Sequence, residues 1–141
     1  MRSAPDDVTE TLASLAIFAD LSRPELELVA HSLEERYFAQ DERVLREGLS
    51  GSAFYIILEG EAAVIAGGKR VNTLGRGEFF GEISVLLGET PVADVIAARP
   101  LRCLVLPGRL LQDFLQTNPR VCYRILVAEA RKLANSTRRT G

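Results

Sequence analysis

Leu74-Gly75-Arg76-Gly77-Glu78-Phe79-Phe80-Gly81-Glu82-Ile83-Ser84-Val85-Leu86-Leu87 is the stretch on which the fold turns. Its residues predict a strand, a glycine turn and a short apolar helix beginning near Glu82. A helix that starts straight after glycine exposes free backbone N–H groups at the positive end of its dipole, which makes a small anion site. A carboxylate beside those amides repels a bare phosphate. It has a place if it accepts hydrogen bonds from a sugar hydroxyl while the amides hold the phosphate. The same residues also suit a glycine-rich β-bulge corner carrying an exposed glutamate.

Around this stretch, from Tyr37 to Leu106, short β-rich runs alternate with glycines. The runs are Arg43-Val44-Leu45, Ala53 to Leu58, Ala62 to Ala66, Val71 to Leu74, Val92 to Ala97 and Leu101 to Leu106. Gly48, Gly51, Gly60, Gly67-Gly68, Gly75, Gly77 and Gly88, with Pro91 and Pro100, punctuate them. Evenly spaced short strands with glycine turns predict a sandwich or barrel rather than βαβ units. Gly67-Gly68 is a hairpin turn by composition. A roll of about eight strands over 36–107 would be a jelly roll of the cupin-like, double-stranded kind.

Helical patterns flank the roll, over 8–33 and 108–137. Val8, Leu12, Leu15 and Ala16 fall on one helical face. Ser22 stands three residues before Glu25 with Pro24 between them, a capping box that starts a helix over 22–32. Leu26, Val29, Ala30 and Leu33 give it an apolar face. Leu110, Leu111, Phe114 and Leu115 form a later stripe. Asn118-Pro119 reads as a cap and first-turn proline for a last helix, with Val121, Cys122, Ile125, Leu126 and Leu133 as its apolar side. Arg131, Lys132, Arg138 and Arg139 at its end suit a helix C-terminus, and predict solvated charges rather than a nucleic-acid patch.

The whole chain bounds the function. Its 141 residues fit one domain, 1–141, and 47% of them are hydrophobic, enough for a core. Against 19 acidic residues stand 17 basic ones, a net charge of −2 that does not suggest a nucleic-acid binder. No apolar run reaches the ~20 residues that span a bilayer, and Met1 to Asp7 is polar with no apolar segment behind it, so neither membrane span nor signal peptide is expected. Cys103 and Cys122 are read as buried reduced thiols of a cytoplasmic protein. The single histidine, His31, has no metal-ligand cluster around it, and no nucleophile elbow or phosphate-binding Gly-Lys-Ser/Thr loop occurs, so neither a metal nor catalysis is expected.

Phe79-Phe80-Gly81-Glu82-Ile83-Ser84-Val85-Leu86 resembles the phosphate-binding cassette of cyclic-nucleotide-binding domains, as in catabolite activator proteins and regulatory subunits of cAMP-dependent protein kinase. Gly48, Gly51, Tyr55-Ile56-Ile57, Gly60 and Leu74-Gly75-x-Gly77 stand at that family's spacings, and the helix–roll–helix order extends the resemblance over 10–135. The resemblance implies that Glu82 accepts from the ribose 2′-hydroxyl and that Gly81 lets the backbone approach the sugar. It implies that amides near Ile83 and Ser84 meet the cyclic phosphate, and that Val64, Val71 and Leu74 line the cavity. Phe80, Val92 and Ala93 complete the implied lining, and the last helix would lid the base.

One departure bears on the ligand. The family's cassette ends with an arginine that pairs with the phosphate. Here that stretch reads Thr90-Pro91-Val92-Ala93-Asp94, which puts Pro91 at the ungapped position and Val92 one residue on. Neither pairs with a phosphate, Val92 offers no hydroxyl of the kind linked to guanine preference, and Asp94 adds negative charge. A charge-assisted hydrogen bond contributes about 1.5–3 kcal/mol, so its loss weakens binding about ten- to over a hundredfold. Arg99, Arg102 or the basic last helix would have to supply the replacement cation. Two readings follow: a regulatory sensor that binds a cyclic nucleotide, cAMP rather than cGMP, and signals through its terminal helices; or a degenerate domain that keeps the roll as a protein-interaction module. The partner is then a small-molecule nucleotide or another protein or domain, and the last helix offers a homodimer seam. DNA binding would need a helix-turn-helix after that helix; the sequence ends at Gly141, so none is expected of this chain.

Overall fold

A computed structural model describes residues 6–49 and 53–140, with side chains over 8–49 and 53–138. The polar stretch read at Met1–Pro5, the family-spaced Gly51, the side chain of Arg139 and the terminal Gly141 lie outside the described residues.

Eight strands form two four-stranded sheets whose paired neighbours are all antiparallel. The strands are β1 (Glu34–Phe38), β2 (Arg43–Leu45), β3 (Ala53–Glu59), β4 (Ala62–Ala66), β5 (Lys69–Leu74), β6 (Phe79–Phe80), β7 (Asp94–Ala97) and β8 (Leu101–Pro107). One sheet has the order β1-β8-β3-β6 and the other β2-β7-β4-β5. The helices are α1 (Asp6–Ala13), α2 (Arg23–His31), α3 (Glu82–Leu87), α4 (Leu111–Thr117) and α5 (Pro119–Thr140). This is the expected β-roll with flanking helices.

Side-chain alternation explains the layering. Along β3, Phe54, Ile56 and Leu58 join a core shared with α1, α2, α4 and α5, while Tyr55 and Ile57 face a second core between the sheets. Along β8, Leu104 and Leu106 go to the helices and Cys103 and Val105 to the opposite sheet. Both faces of these strands are covered, so they read as continuous apolar runs rather than alternating ones.

Local signals hold with defined differences. The α2 capping box forms in full: Ser22 Oγ accepts from Glu25 N, and Glu25 Oε1 accepts from Ser22 N at 2.8 Å. The first helical run breaks after Ala13 into a 3₁₀ turn, Ala16–Phe18, so Val8, Leu12 and Leu15 are buried while Ala16 is exposed. Ile17 and Phe18 from that turn enter the core in its place. The roll begins at Glu34 rather than 36, because the charged edge strand Glu34-Glu35-Arg36 carries little apolar signal. β7 begins at Asp94, leaving Val92 in the preceding loop and 72% exposed. Asn118 does not close the start of α5 with its side chain; its Nδ2 donates to Phe114 O at 2.9 Å and finishes α4. Val121 and Ile125 of α5 are buried, while Leu126 and Leu133 are exposed. Gly67 and Gly68 take φ of 59° and 77°, the left-handed pair that a two-residue hairpin turn requires.

Candidate functional site

The β6–α3 corner forms one wall of a cavity of about 210 Å³ between the second sheet, the loop after α3 and the side of α5. Gly81 makes the corner. Its φ is 89°, and a Cβ there would run into the Ala53 carbonyl oxygen of β3, so only glycine brings the backbone this close. Tyr55 and Phe80 stack beneath it with ring centroids 4.7 Å apart, fixing β6 on β3.

Most of the expected site residues gather on this cavity. Phe80, Gly81, Glu82, Ile83, Ser84, Val92, Ala93, Val64 and Leu74 line it. Val71 does not: it is 48% exposed on β5, at the register shift where Val64 pairs with Asn72 and Ile65 with Arg70. The lining also takes in Leu45 and Val95, the Glu89-Thr90-Pro91 loop, Asn72, Phe79 and Lys132. Thr90-Pro91 belong to the stretch already read as the end of the cassette, and Glu89 directly precedes it. No sequence signal distinguishes Lys132 from the other basic residues of the tail.

Pro91 is buried, and its carbonyl accepts from Gly48 N at 2.9 Å. The residue at the ungapped arginine position therefore pins the loop after β2. Asp94 turns away to Arg43, 3.7 Å off, and accepts from Glu47 N at 2.7 Å, so its charge is not spent on the cavity. Arg99 pairs with Glu61, and Arg102 with Glu35 and Glu59; neither lines the cavity. Ser84 Oγ donates to Gly81 O at 3.3 Å, closing the first turn of α3.

Glu82 is not an exposed corner residue; it is 3% exposed. Burial, then a hydrogen bond with Glu129 of α5, push its carboxyl up to about 8, against a lowering by Lys132. The rise favours the protonated carboxyl at neutral pH. Lys132 Nζ lies 3.8 Å from Glu82 Oε2 and 3.3 Å from Glu129 Oε1, and 4.5 Å above the centre of the Phe79 ring. With both carboxyl groups ionised, Glu129 Oε2 would be buried without a hydrogen-bond partner. A proton on the raised Glu82 carboxyl supplies a hydrogen-bond donor toward Glu129.

Elsewhere the described residues offer little chemistry. Cys103 is buried, and burial pushes its thiol up to about 12; Cys122 is half-buried, and both are unpaired. His31 is exposed at the end of α2. Among the described residues no group of three or more His, Cys, Asp or Glu could hold a metal, and no helix is long and apolar enough to cross a membrane.

Comparison with known proteins agrees with this geometry. A family model described as "Cyclic nucleotide-binding domain" matches residues 35–118. A cGMP-dependent protein kinase of Eimeria tenella is 31% identical over 119 residues, 84% of this chain but 12% of that protein. The chain thus spans about an eighth of the curated relative it matches. The catabolite activator protein of Thermus thermophilus superposes with a TM-score of 0.79 at 24% identity, covering 89% of this chain and 61% of that one. The regulatory subunit of a cAMP-independent protein kinase A from Trypanosoma brucei gives 0.77 at 26% identity, covering 89% and 45%. A variant of that subunit with three substitutions, one of them threonine to arginine, is bound to cAMP; it matches with a TM-score of 0.68 at 25% identity, covering 84% of this chain and 49% of that one.

Proposed function

This chain belongs to the cyclic nucleotide-binding domain family, and we propose from that premise that it is a cytoplasmic, non-catalytic sensor domain. In this reading it takes cAMP rather than cGMP, weakly, and passes occupancy on through α5. The observation that carries the reading is the β6–Gly81–α3 corner, which turns a buried Glu82 onto a cavity closed on one side by α5. Glu82 would receive the ribose 2′-hydroxyl, and the backbone at Gly81–Ser84 the rest of the sugar-phosphate. Val64, Leu74 and Val95 give the apolar wall that a nucleotide needs for shape selection.

Affinity should be low because no arginine follows α3 before Arg99. Burying a phosphate without a free cation costs more than backbone amides return. The Trypanosoma brucei relative described as cAMP-independent, together with its arginine-bearing variant bound to cAMP, supports the same expectation. A second reading has its own observation: the lysine that lines the cavity is already paired with carboxylates. This favours a domain that keeps the roll for protein interaction alone. Calorimetric titration with cAMP and cGMP decides between them. Dissociation constants in the high micromolar range for cAMP, weakened at least tenfold by Glu82→Ala, support the sensor. Absence of binding by the wild type and by Pro91→Arg supports the interaction module.

A further inference from the structure

We propose that Lys132, carried by α5, is the phosphate-binding cation of this ligand site, and that Glu129 is the counter-ion it leaves when an anionic ligand enters. The inference rests on the sensor reading above and names the residues that set its specificity.

Charge accounting around the cavity leads to Lys132. Among the described residues it is the one lysine or arginine in the lining. The nearby arginines are committed elsewhere: Arg43 to Asp94, Arg99 to Glu61, and Arg102 to Glu35 and Glu59. Arg46 belongs to the loop that packs on Pro91, but it is exposed and outside the lining.

Geometry places Lys132 where a phosphate would arrive. Its Nζ is 3.8 Å from Oε2 of Glu82, the residue proposed to meet the ribose 2′-hydroxyl. In a 3′,5′-cyclic nucleotide the 2′-hydroxyl is vicinal to the 3′-oxygen that carries the phosphate. A cation beside the 2′-hydroxyl acceptor therefore stands on the phosphate side of the ribose, within a few ångströms of the 3′-oxygen. A lysine can follow the shift, because its ammonium is a point charge on a four-carbon stem. The face of Phe79, 4.5 Å away, keeps the ammonium at the cavity wall rather than in bulk water.

The resting charges then explain why the site is guarded. Lys132 stands between the raised Glu82 carboxyl and Glu129, 3.8 Å from one and 3.3 Å from the other. Glu89 is the other acidic residue in the lining. An entering phosphate must compete with Glu129 for the lysine. Lys132 and Glu129 sit on α5 three residues apart, so exchanging the lysine's partner acts directly on the helix that would report occupancy. An arginine within the cassette would bind the same anion without touching α5.

The test is titration of the whole chain with cAMP, and with adenosine as a probe of the same sugar and base without the phosphate, at one ionic strength. The variants are Lys132→Gln, Glu129→Gln, Arg46→Gln and Glu82→Ala, each checked for an unchanged circular-dichroism spectrum. We expect Lys132→Gln to weaken cAMP at least tenfold and Glu129→Gln to tighten it about tenfold, with adenosine moved less than twofold by either. Arg46→Gln should leave both ligands unchanged. If wild-type cAMP binding is below detection, appearance of binding in Glu129→Gln supports the assignment. Equal effects on cAMP and adenosine, no effect of either α5 substitution on cAMP, or loss of cAMP binding in Arg46→Gln overturns it. Adenosine binding that depends on Glu82, alongside a cAMP affinity indifferent to Lys132, overturns this assignment alone. Binding of neither probe by any variant overturns the sensor reading with it.

Discussion

Glu82→Gln should abolish a slope of stability with pH that the wild type shows between about pH 5 and pH 8. From the ordinary glutamate value of 4.5, the Glu82 carboxyl is raised to about 8 by burial and then by its hydrogen bond with Glu129. A raised folded-state pKa contributes stability that is fully present below the unfolded value and is lost as pH rises through the folded one. Between about 4.5 and 8 the unfolded chain has released this proton while the folded chain keeps it. Stability therefore falls with pH, by at most about 1.4 kcal/mol per unit for one proton. For a chain of this size about 1 kcal/mol moves Tm by about 2–4 °C, so the melting temperature should drop by roughly 3–6 °C per pH unit. Other displaced groups act outside this window. Asp20 and Glu25 are lowered carboxylates whose effect falls on the acid side, and Cys103, raised from 9.0 to about 12, acts in alkali. Glutamine keeps a donor toward Glu129 and removes the titration. The assay is thermal melting of wild type and Glu82→Gln at half-unit steps of pH in one buffer mixture. A wild-type curve that is flat or rises from pH 5 to 8 would show Glu82 ionised in the folded protein. Equal slopes in the two proteins would place the titration elsewhere.

Three further outcomes are expected. Gly81→Ala should destabilise the fold by about 1–3 kcal/mol and lower ligand affinity, since the left-handed φ and the Ala53 carbonyl both oppose a Cβ; chemical denaturation that finds no loss refutes the close approach. Pro91→Arg should tighten cAMP at least tenfold at constant salt, with Val92→Arg as the comparison for the gapped position; because Pro91 pins the loop through Gly48 N, its melting temperature should fall slightly, and unchanged affinity in both variants removes this loop from the phosphate. Iodoacetamide at neutral pH should label Cys122 in the folded protein and leave Cys103 unmodified until the chain unfolds; early labelling of Cys103 by mass spectrometry contradicts its burial.

Much of the architecture is carried by local chemistry. The capping box at Ser22 and Glu25, the Gly67-Gly68 turn and the apolar runs of β3, β4 and β8 each act over a few residues, so a one-dimensional reading places them. The helix beginning at Glu82 is legible for the same reason. Where the reading slips, a distant partner decides. Glu34-Glu35-Arg36 is a strand because β8 pairs with it, in register from Glu34 opposite Val105 to Phe38 opposite Leu101. Val71 is left exposed because it falls at the register shift between β4 and β5, where Val64 pairs with Asn72 and Ile65 with Arg70.

The candidate site divides in the same way. The sequence by itself determined the glycine-and-glutamate corner and the lack of an arginine after it, since both are properties of consecutive residues. Only the tertiary structure decided what stands opposite that corner. Lys132 lies 50 positions from Glu82 in a run of basic residues that looks solvated from end to end. α5, packed on the 3₁₀ turn at Ala16–Phe18 and tied by Arg124 to Asp20 at 2.8 Å, brings that one lysine to the cavity with Glu129 beside it. A charge acts through distance and dielectric rather than through sequence separation, so its meaning appears only when the fold sets both.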